Sequence, residues 1–242
     1  MRLSLIAPLV FLALATPAAA CRHALVLALD VSGSVDAVEY QQQLTGLATA
    51  LAHPEIRDII LSDLTNPVTV FVYEWSSQNH QFVILPWTRL ESAAALDQAI
   101  AQIEAHRKVR AGLKTALGTA LAFGQTMLKQ QEACWQHTID VSGDGRNNFG
   151  PTPQAIYGQA FDRTTVNALV VGQPEADSVE GRGIATADLL RYFESEVIRG
   201  PGAFSIVANG YADYARAMRL KLARELQVPV IGSADRKPNA PG

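Results

Sequence analysis

Short apolar runs alternate along the chain with longer segments of helical spacing. Residues 24–29 read Ala-Leu-Val-Leu-Ala-Leu, the unbroken apolar run of a strand buried on both faces of a parallel sheet. Residues 36–51 follow with helical spacing, Val38, Leu44, Leu47, Ala48 and Leu51 on one side and Asp36 placed to cap the first turn. Residues 68–75 are β-rich. After a polar turn at 76–80, residues 81–87 form a second β segment, close enough in sequence to predict an antiparallel hairpin. Helical spacing returns over 91–106 and 115–131, separated by a basic loop over 108–113 that contains Gly112. Residues 135–142 predict a strand entering the turn Gly143-Asp144-Gly145, and 153–163 a short helix. Beyond them come a strand at 165–171, a helix at 187–198, a strand at 203–208 and a helix at 213–226.

This order, β-α-β-β-α-α-β-α-β-α-β-α, predicts an α/β fold. It is a doubly wound, mostly parallel sheet with one antiparallel edge strand and helices on both faces. The expected domain spans residues 21–231, with no internal repeat and no low-complexity linker. Residues 232–242 are polar and proline-rich and are expected to form a disordered tail.

The first twenty residues stand apart. Arg2 supplies a positive start, 3–15 are almost wholly apolar, and Pro17-Ala18-Ala19-Ala20 offers small residues at a cleavage point. The apolar run is short for a membrane span, which needs about 20 residues. Residues 1–20 are therefore expected to be a signal peptide cleaved near Ala20-Cys21, which implies a periplasmic or secreted mature chain without a transmembrane segment. Cys21 directly after the small residues leaves a lipoprotein open as a second possibility. Charge adds an exclusion. With 20 Lys and Arg against 23 Asp and Glu, the formal net charge of -3 provides no basic field for nucleic acid.

Candidate chemistry collects where strands end. In open α/β sheets ligands bind beyond the carboxyl ends of the strands, where strand order reverses. One strand ends in Asp30-Val31-Ser32-Gly33-Ser34 and another in Ser142-Gly143-Asp144-Gly145, while the loop carrying Gly112 and Thr115 opens a helix with Gly118 one turn on. Carboxylates from Asp30 and Asp144 and hydroxyls from Ser32, Ser34 and Thr115 are hard oxygen donors, suited to an octahedral divalent cation. Mg2+ or Mn2+ is the expected ion. Asp30, Ser32 and Ser34 can point the same way by alternation. Two carboxylates with three neutral hydroxyls leave a coordination position for an anionic oxygen from outside.

The pattern Asp30-x-Ser32-x-Ser34, then Thr115, then Asp144-Gly145, resembles the metal-ion-dependent adhesion site (MIDAS) of von Willebrand factor A (vWA) domains and integrin I domains. Thr115 with Gly118 matches the family's Thr-x-x-Gly-x-Ala-Leu better than Thr119 does. Further phrases resemble a bacterial family of exported A-type proteins with no established activity. They are residues 29–36, Glu74-Trp75-Ser76, residues 141–145 with Asn147-Asn148, and Gly200-Pro201-Gly202-Ala203-Phe204. The resemblance implies direct ligation by Asp30, Ser32 and Ser34, ligation by Thr115 directly or through water, and a water-mediated or outer role for Asp144. It implies a protein partner whose Glu or Asp completes the metal shell. In the resembled fold the strands after Cys21 and Cys134 are parallel neighbours, so the two cysteines are expected to form a disulfide at the pole opposite the metal.

The preferred reading is a non-enzymatic, divalent-cation-dependent binding module. Two alternatives stay open: a metal-dependent phosphate-ester hydrolase using Asp30, and a structural envelope subunit. Other chemistry is weakly supported. There is no Gly-x-Ser-x-Gly elbow, and His53, His80 and His106 read as surface residues. Trp75, Trp87 and Trp135 read as packing. Asp140 is expected to face the sheet region or to pair with a base such as Arg146, and Asn147 and Asn148 to be turn-forming surface residues, with the rim of the site as their alternative place.

Overall fold

The computed structural model describes residues 21–107, 112–172 and 179–227, with side chains of 179–184 excepted. The expected signal peptide (1–20) and tail (232–242), and residues 108–111 of the basic loop, lie outside the described residues. A six-stranded sheet, in the order β3-β2-β1-β4-β5-β6, is built from β1 (His23–Asp30), β2 (Val68–Trp75), β3 (Gln81–Arg89), β4 (Gln136–Gly143), β5 (Thr165–Val171) and β6 (Ser205–Ala208). All neighbours are parallel except the β2–β3 hairpin, which places an antiparallel strand at the edge. The predicted fold class is the one found.

Alternation along the strands makes two cores. Leu25, Leu27 and Leu29 of β1 face one layer with Val70 and Val72 of β2 and Leu169 and Val171 of β5. Ala24, Val26 and Ala28 face the other with Phe71, Tyr73, Trp75, Ile139 and Val141. The first layer is closed by α1 (Ala37–Ala52), α2 (Pro54–Leu61), α3 (Ala93–Ala105) and α7 (Tyr214–Leu226). The second is covered by α4 (Leu117–Leu128), the short α5 (Pro153–Ile156) and α6 (Val179–Tyr192).

Asp36 caps α1 as expected, accepting from the Val38 and Glu39 N–H groups while Glu39 accepts from the Asp36 N–H. That reciprocal capping box fixes where the helix begins, three residues after Ser34. Val38 departs from the expectation. It is 65% exposed, because six residues separate it from Leu44, about 240° around the helix at 3.6 residues per turn. Tyr40 takes the buried place instead. The helix α2 was not foreseen. Pro54 opens it at the position where a missing N–H costs nothing, and Ile56 and Ile60 bury one narrow stripe. Its carboxyl end is held by the Arg22 guanidinium, which donates to the Ile60 and Asp63 carbonyls at 2.9 and 3.0 Å. The expected helix at 153–163 is only α5 and a 3-10 turn at Gln159–Phe161. The expected helix at 187–198 starts earlier, as α6, and ends in a π-helical turn over Phe193–Val197.

Cys21 and Cys134 form a disulfide with Cα atoms 4.5 Å apart. The β1–β4 register pairs His23 with Gln136, so both cysteines stand two residues ahead of paired positions. A bridged Cys21 has no thiol to acylate.

His23, beside the bridge, is buried and bonds Thr138 Oγ1 through Nε2 at 2.8 Å. Burial, reinforced by the nearby charges of Arg22 and His137, pulls its pKa down to about 3. A histidine that folds neutral supports stability above its ordinary pKa of 6.5, and that support drains away as pH falls from 6.5 toward 3. Urea unfolding at pH 7 and pH 5 should show the wild type losing about 2 kcal/mol more than His23→Gln does. Equal losses in the two proteins would mean that His23 charges freely in the native state.

Candidate metal site

Strand order reverses between β1 and β4, since the chain leaves β1 for β2 on one side and returns to β4 on the other. The crevice at their carboxyl ends is where backbone dipoles and loops converge. Asp30 is the last residue of β1 and is fully buried. Its Oδ1 accepts the Ser32 N–H at 2.8 Å. Its Oδ2 is buried and meets no hydrogen-bond partner. From the next helix, the buried Gln43 Nε2 donates to the Asp30 carbonyl at 2.9 Å, fixing the strand end.

The other predicted residues gather around this carboxylate. The Ser34 hydroxyl donates to Asp144 Oδ1 at 2.7 Å, and the Ser32 and Ser34 hydroxyls stand 3.4 Å apart. Ser32 and Asp144 are buried, whereas Ser34 is exposed, so the group opens to solvent on the Ser34 side. Gly143 keeps the floor clear: a Cβ there would press on Asp30 Oδ2 at 3.3 Å and on the Phe193 ring. Thr115 is buried on the far side, where a Cβ on Gly145 would lie 3.8 Å from its Oγ1. Thr119 turns away toward Gly150. The structure therefore brings Asp30, Ser32, Ser34 and Asp144 into one group and sets Thr115 against the Gly145 turn.

Electrostatics set the two acids against each other. Burial, then the neighbouring Asp144 carboxylate, pushes the Asp30 carboxyl up to about 8. Burial also raises Asp144, partly offset by the Ser34 hydrogen bond. Two carboxylates facing each other in low dielectric resist ionising together, and a bound cation reverses that penalty. The donor set fits such an ion: two acids supply charge, hydroxyls supply neutral oxygens, and Asp30 Oδ2 is a ready acceptor with nothing to accept from.

Several residues that shape the site were not foreseen. Asn148 accepts the Thr115 N–H through Oδ1 at 2.9 Å and donates its own N–H to the Thr115 carbonyl at 2.9 Å. Asn147 Oδ1 accepts the Gly118 N–H at 3.2 Å. These asparagines, read as surface turn residues, clamp the threonine loop onto the Asp144 turn. Ser76 and Ser77 hold the same loop from the other side, their hydroxyls accepting the Gly112 and Lys114 N–H groups while the Ser76 carbonyl accepts from Ala116. The Ala116 bond keeps Thr115 out of the helix, so α4 begins at Leu117 and not at 115. Asn147-Asn148 and Ser76 stood in conspicuous phrases of the sequence. Tyr211 had no such signal. Its hydroxyl is buried near Asp144, whose charged form it favours, and its own ionisation is suppressed by burial and by Asp144 and Asp30.

Asp140 is not part of the group. It lies on the face toward α7 and pairs with the buried Lys221 at 2.8 Å, not with Arg146. Lys221 also meets Glu225, which accepts from Asn167 Nδ2 at 2.8 Å. His80 and His106 are not free surface residues either. His80 is buried, and both rings approach the fully buried Glu74, at 3.1 and 3.5 Å. Of the tryptophans, Trp75 is core, Trp87 is half-buried against Phe71, and Trp135 is 58% exposed.

A family model described as "Protein of unknown function (DUF1194)" matches residues 20–230. No curated protein matches the chain. Among solved structures, proximal thread matrix protein 1 from the mussel byssus superposes with a TM-score of 0.58 at 15% identity, over 84% of this chain and 47% of that one. The pilus adhesin SpaC from Lactobacillus rhamnosus GG gives 0.58 at 15%, over 85% and 30%. BatB from Bacteroides thetaiotaomicron gives 0.52 at 17%, over 84% and 98%. The chain thus spans less than half of the first two proteins and nearly all of the third. At these identities the likeness concerns the fold.

Gly118 offers a direct check on the clamp. A Cβ there would collide with the Pro151 carbonyl oxygen. Gly118→Ala should therefore destabilise the protein by roughly 1–3 kcal/mol, although alanine is the better helix former by about 1 kcal/mol. Gly158→Ala, where a Cβ meets nothing within 4 Å, should be close to neutral. Thermal unfolding of the two variants decides; equal melting temperatures would contradict the packing of α4 against the 151–152 backbone.

Proposed function

We propose that this chain, which belongs to the DUF1194 family and folds as a vWA-like domain, is an exported, divalent-cation-dependent protein-binding module. Its metal is Mg2+ or Mn2+, and its partner completes the metal shell with a Glu or Asp. The observation that carries this reading is the buried Asp30 Oδ2. It accepts no hydrogen bond from the described residues while Ser32, Ser34 and Asp144 crowd around the same strand ends. A carboxylate oxygen left alone at full burial is costly, and a hard cation is what a mixed carboxylate and hydroxyl set satisfies. Asp30, Ser32 and Ser34 would hold the ion, with Thr115 direct or through water and Asp144 acting from behind Ser34.

When bound, the ion supplies a Lewis-acidic point with unfilled affinity for an anionic oxygen. The chain's own residues position it and keep its floor dry. The mussel protein that shares this fold is described with a zinc-occupied MIDAS motif, which supports a divalent cation here. The fold is also found in a pilus adhesin, which supports binding over catalysis. Among the described residues no helix is long and apolar enough to cross a membrane. Export to the periplasm or beyond rests on the reading of residues 1–20 as a signal peptide, and agrees with the Cys21–Cys134 disulfide, since such bridges persist in oxidising compartments.

Titration calorimetry with Mg2+ and Mn2+ tests the site. The wild type should bind one ion, and Asp30→Ala should abolish binding because it removes the buried charge that neutralises the ion. Unchanged affinity in Asp30→Ala would sink the assignment.

A further inference from the structure

The mouth of the site is not uniformly polar. Leu113 is 81% exposed, Val38 65% and Phe149 44%, and all three lie on segments that carry or clamp the candidate ligands. Leu113 is two residues before Thr115, and its backbone and Cδ2 pack so close to Gly33 that a Cβ there would stand 3.0–3.3 Å from them. Gly33 lies between Ser32 and Ser34. Phe149 directly follows Asn148, which bonds Thr115 at both backbone groups. Val38 opens α1, held by the Asp36 cap just after Ser34.

The exposed leucine does not sit on a loosely held loop. Its two neighbours are anchored, Gly112 to the Ser76 hydroxyl and Lys114 to the Ser77 hydroxyl. A Cβ on Gly112 would overlap Ser77, so the segment cannot shift inward. The side chain is thus presented outward at fixed position. An apolar side chain held rigidly in water beside a functional group offers contact area to a partner at little ordering cost. Charge points the same way as the metal at one place: Lys114 is exposed beside Thr115, while Arg146 is turned to the Asp188 carbonyl and the Tyr192 ring.

We propose that the site reads two features at once: an acidic side chain taken by the metal, and an aliphatic or aromatic side chain within two residues of it, packed on Leu113 and Phe149 with Val38 at the far rim. The ligand class is a protein segment of the form acid next to hydrophobe, neither a free small carboxylate nor an all-acidic stretch. This rests on the metal-dependent reading above and specifies its partner.

The test is selection from a displayed library of linear peptides, each with one central Glu or Asp and randomised flanks, in Mg2+ and in chelator. Wild type in Mg2+ should enrich peptides with Leu, Ile or Phe within two positions of the acid. Leu113→Ser and Phe149→Ser should still bind Mg2+ as the wild type does and still select the acid. They should lose the apolar preference and bind the best wild-type peptide about tenfold more weakly, the scale of one truncated anchor. Retention of the apolar preference by both variants would overturn the rim while leaving metal-dependent acid binding intact. Enrichment indifferent to Mg2+ and to the acid would overturn the underlying reading and the rim with it.

Discussion

The site depends on one buried carboxylate. Asp30 ends a strand buried on both faces, at the point where the sheet changes direction, and its side chain is fully buried. One oxygen is satisfied by the Ser32 N–H and the other has no hydrogen-bond partner among the described residues. The neighbouring elements are arranged around that fixed carboxyl group. Gly143 has no side chain because a Cβ would press on Oδ2. Gln43 reaches from α1 to hold the strand end. Ser34 bridges to the second carboxylate, Asp144, which shares the same poorly solvated space. An ion held by Asp30 would relieve the repulsion between the two acids, with Asp144 acting through Ser34 or a water.

A second constraint is mechanical. Loops at the carboxyl ends of a parallel sheet carry function because the strands beneath are rigid, but a loop must still be tied to its neighbours to hold a ligand to within a few tenths of an ångström. Here two ties converge on residues 112–118: Ser76 and Ser77 from β2's end and Asn147 and Asn148 from β4's end. Thr115 is held between them and Leu113 is thrown outward. The same ties that steady a metal ligand therefore also fix an apolar contact, which couples the ion's shell to the shape of whatever approaches it.

The fold was legible because its pattern is strong. Residues 24–29 are too apolar to be anything but a doubly buried strand, and the polar turn at 76–80 is too short for a crossover, so the antiparallel edge followed. The grouping of candidate residues was legible because three stretches with acids or hydroxyls fall at neighbouring strand ends and loops, and four of the five residues meet through hydrogen bonds in the structure. What escaped were residues whose roles come from tertiary neighbours. Asn148 is an ordinary turn residue until Thr115 is placed beside it. Tyr211 opens the 3-10 turn after β6, and only the fold brings it to Asp144. Asp140 had a plausible local partner in Arg146, yet Lys221, far along the chain, reaches it from α7 because β4 presents polar Asp140 and Ser142 on the face that α7 covers. Val38 was misplaced for a plainer reason: its angle around α1 does not fit the stripe to which it was assigned.

The central claim is that the unpartnered oxygen of Asp30 faces an ion. The most direct measurement is anomalous diffraction from crystals of the protein soaked in Mn2+. The account predicts a single strong peak at the carboxyl ends of β1 and β4, bonded to Asp30 Oδ2 and to the Ser32 and Ser34 hydroxyls, and absent in Asp30→Ala. A peak elsewhere, or none at saturating Mn2+ with the Asp30 carboxylate still alone, would contradict it.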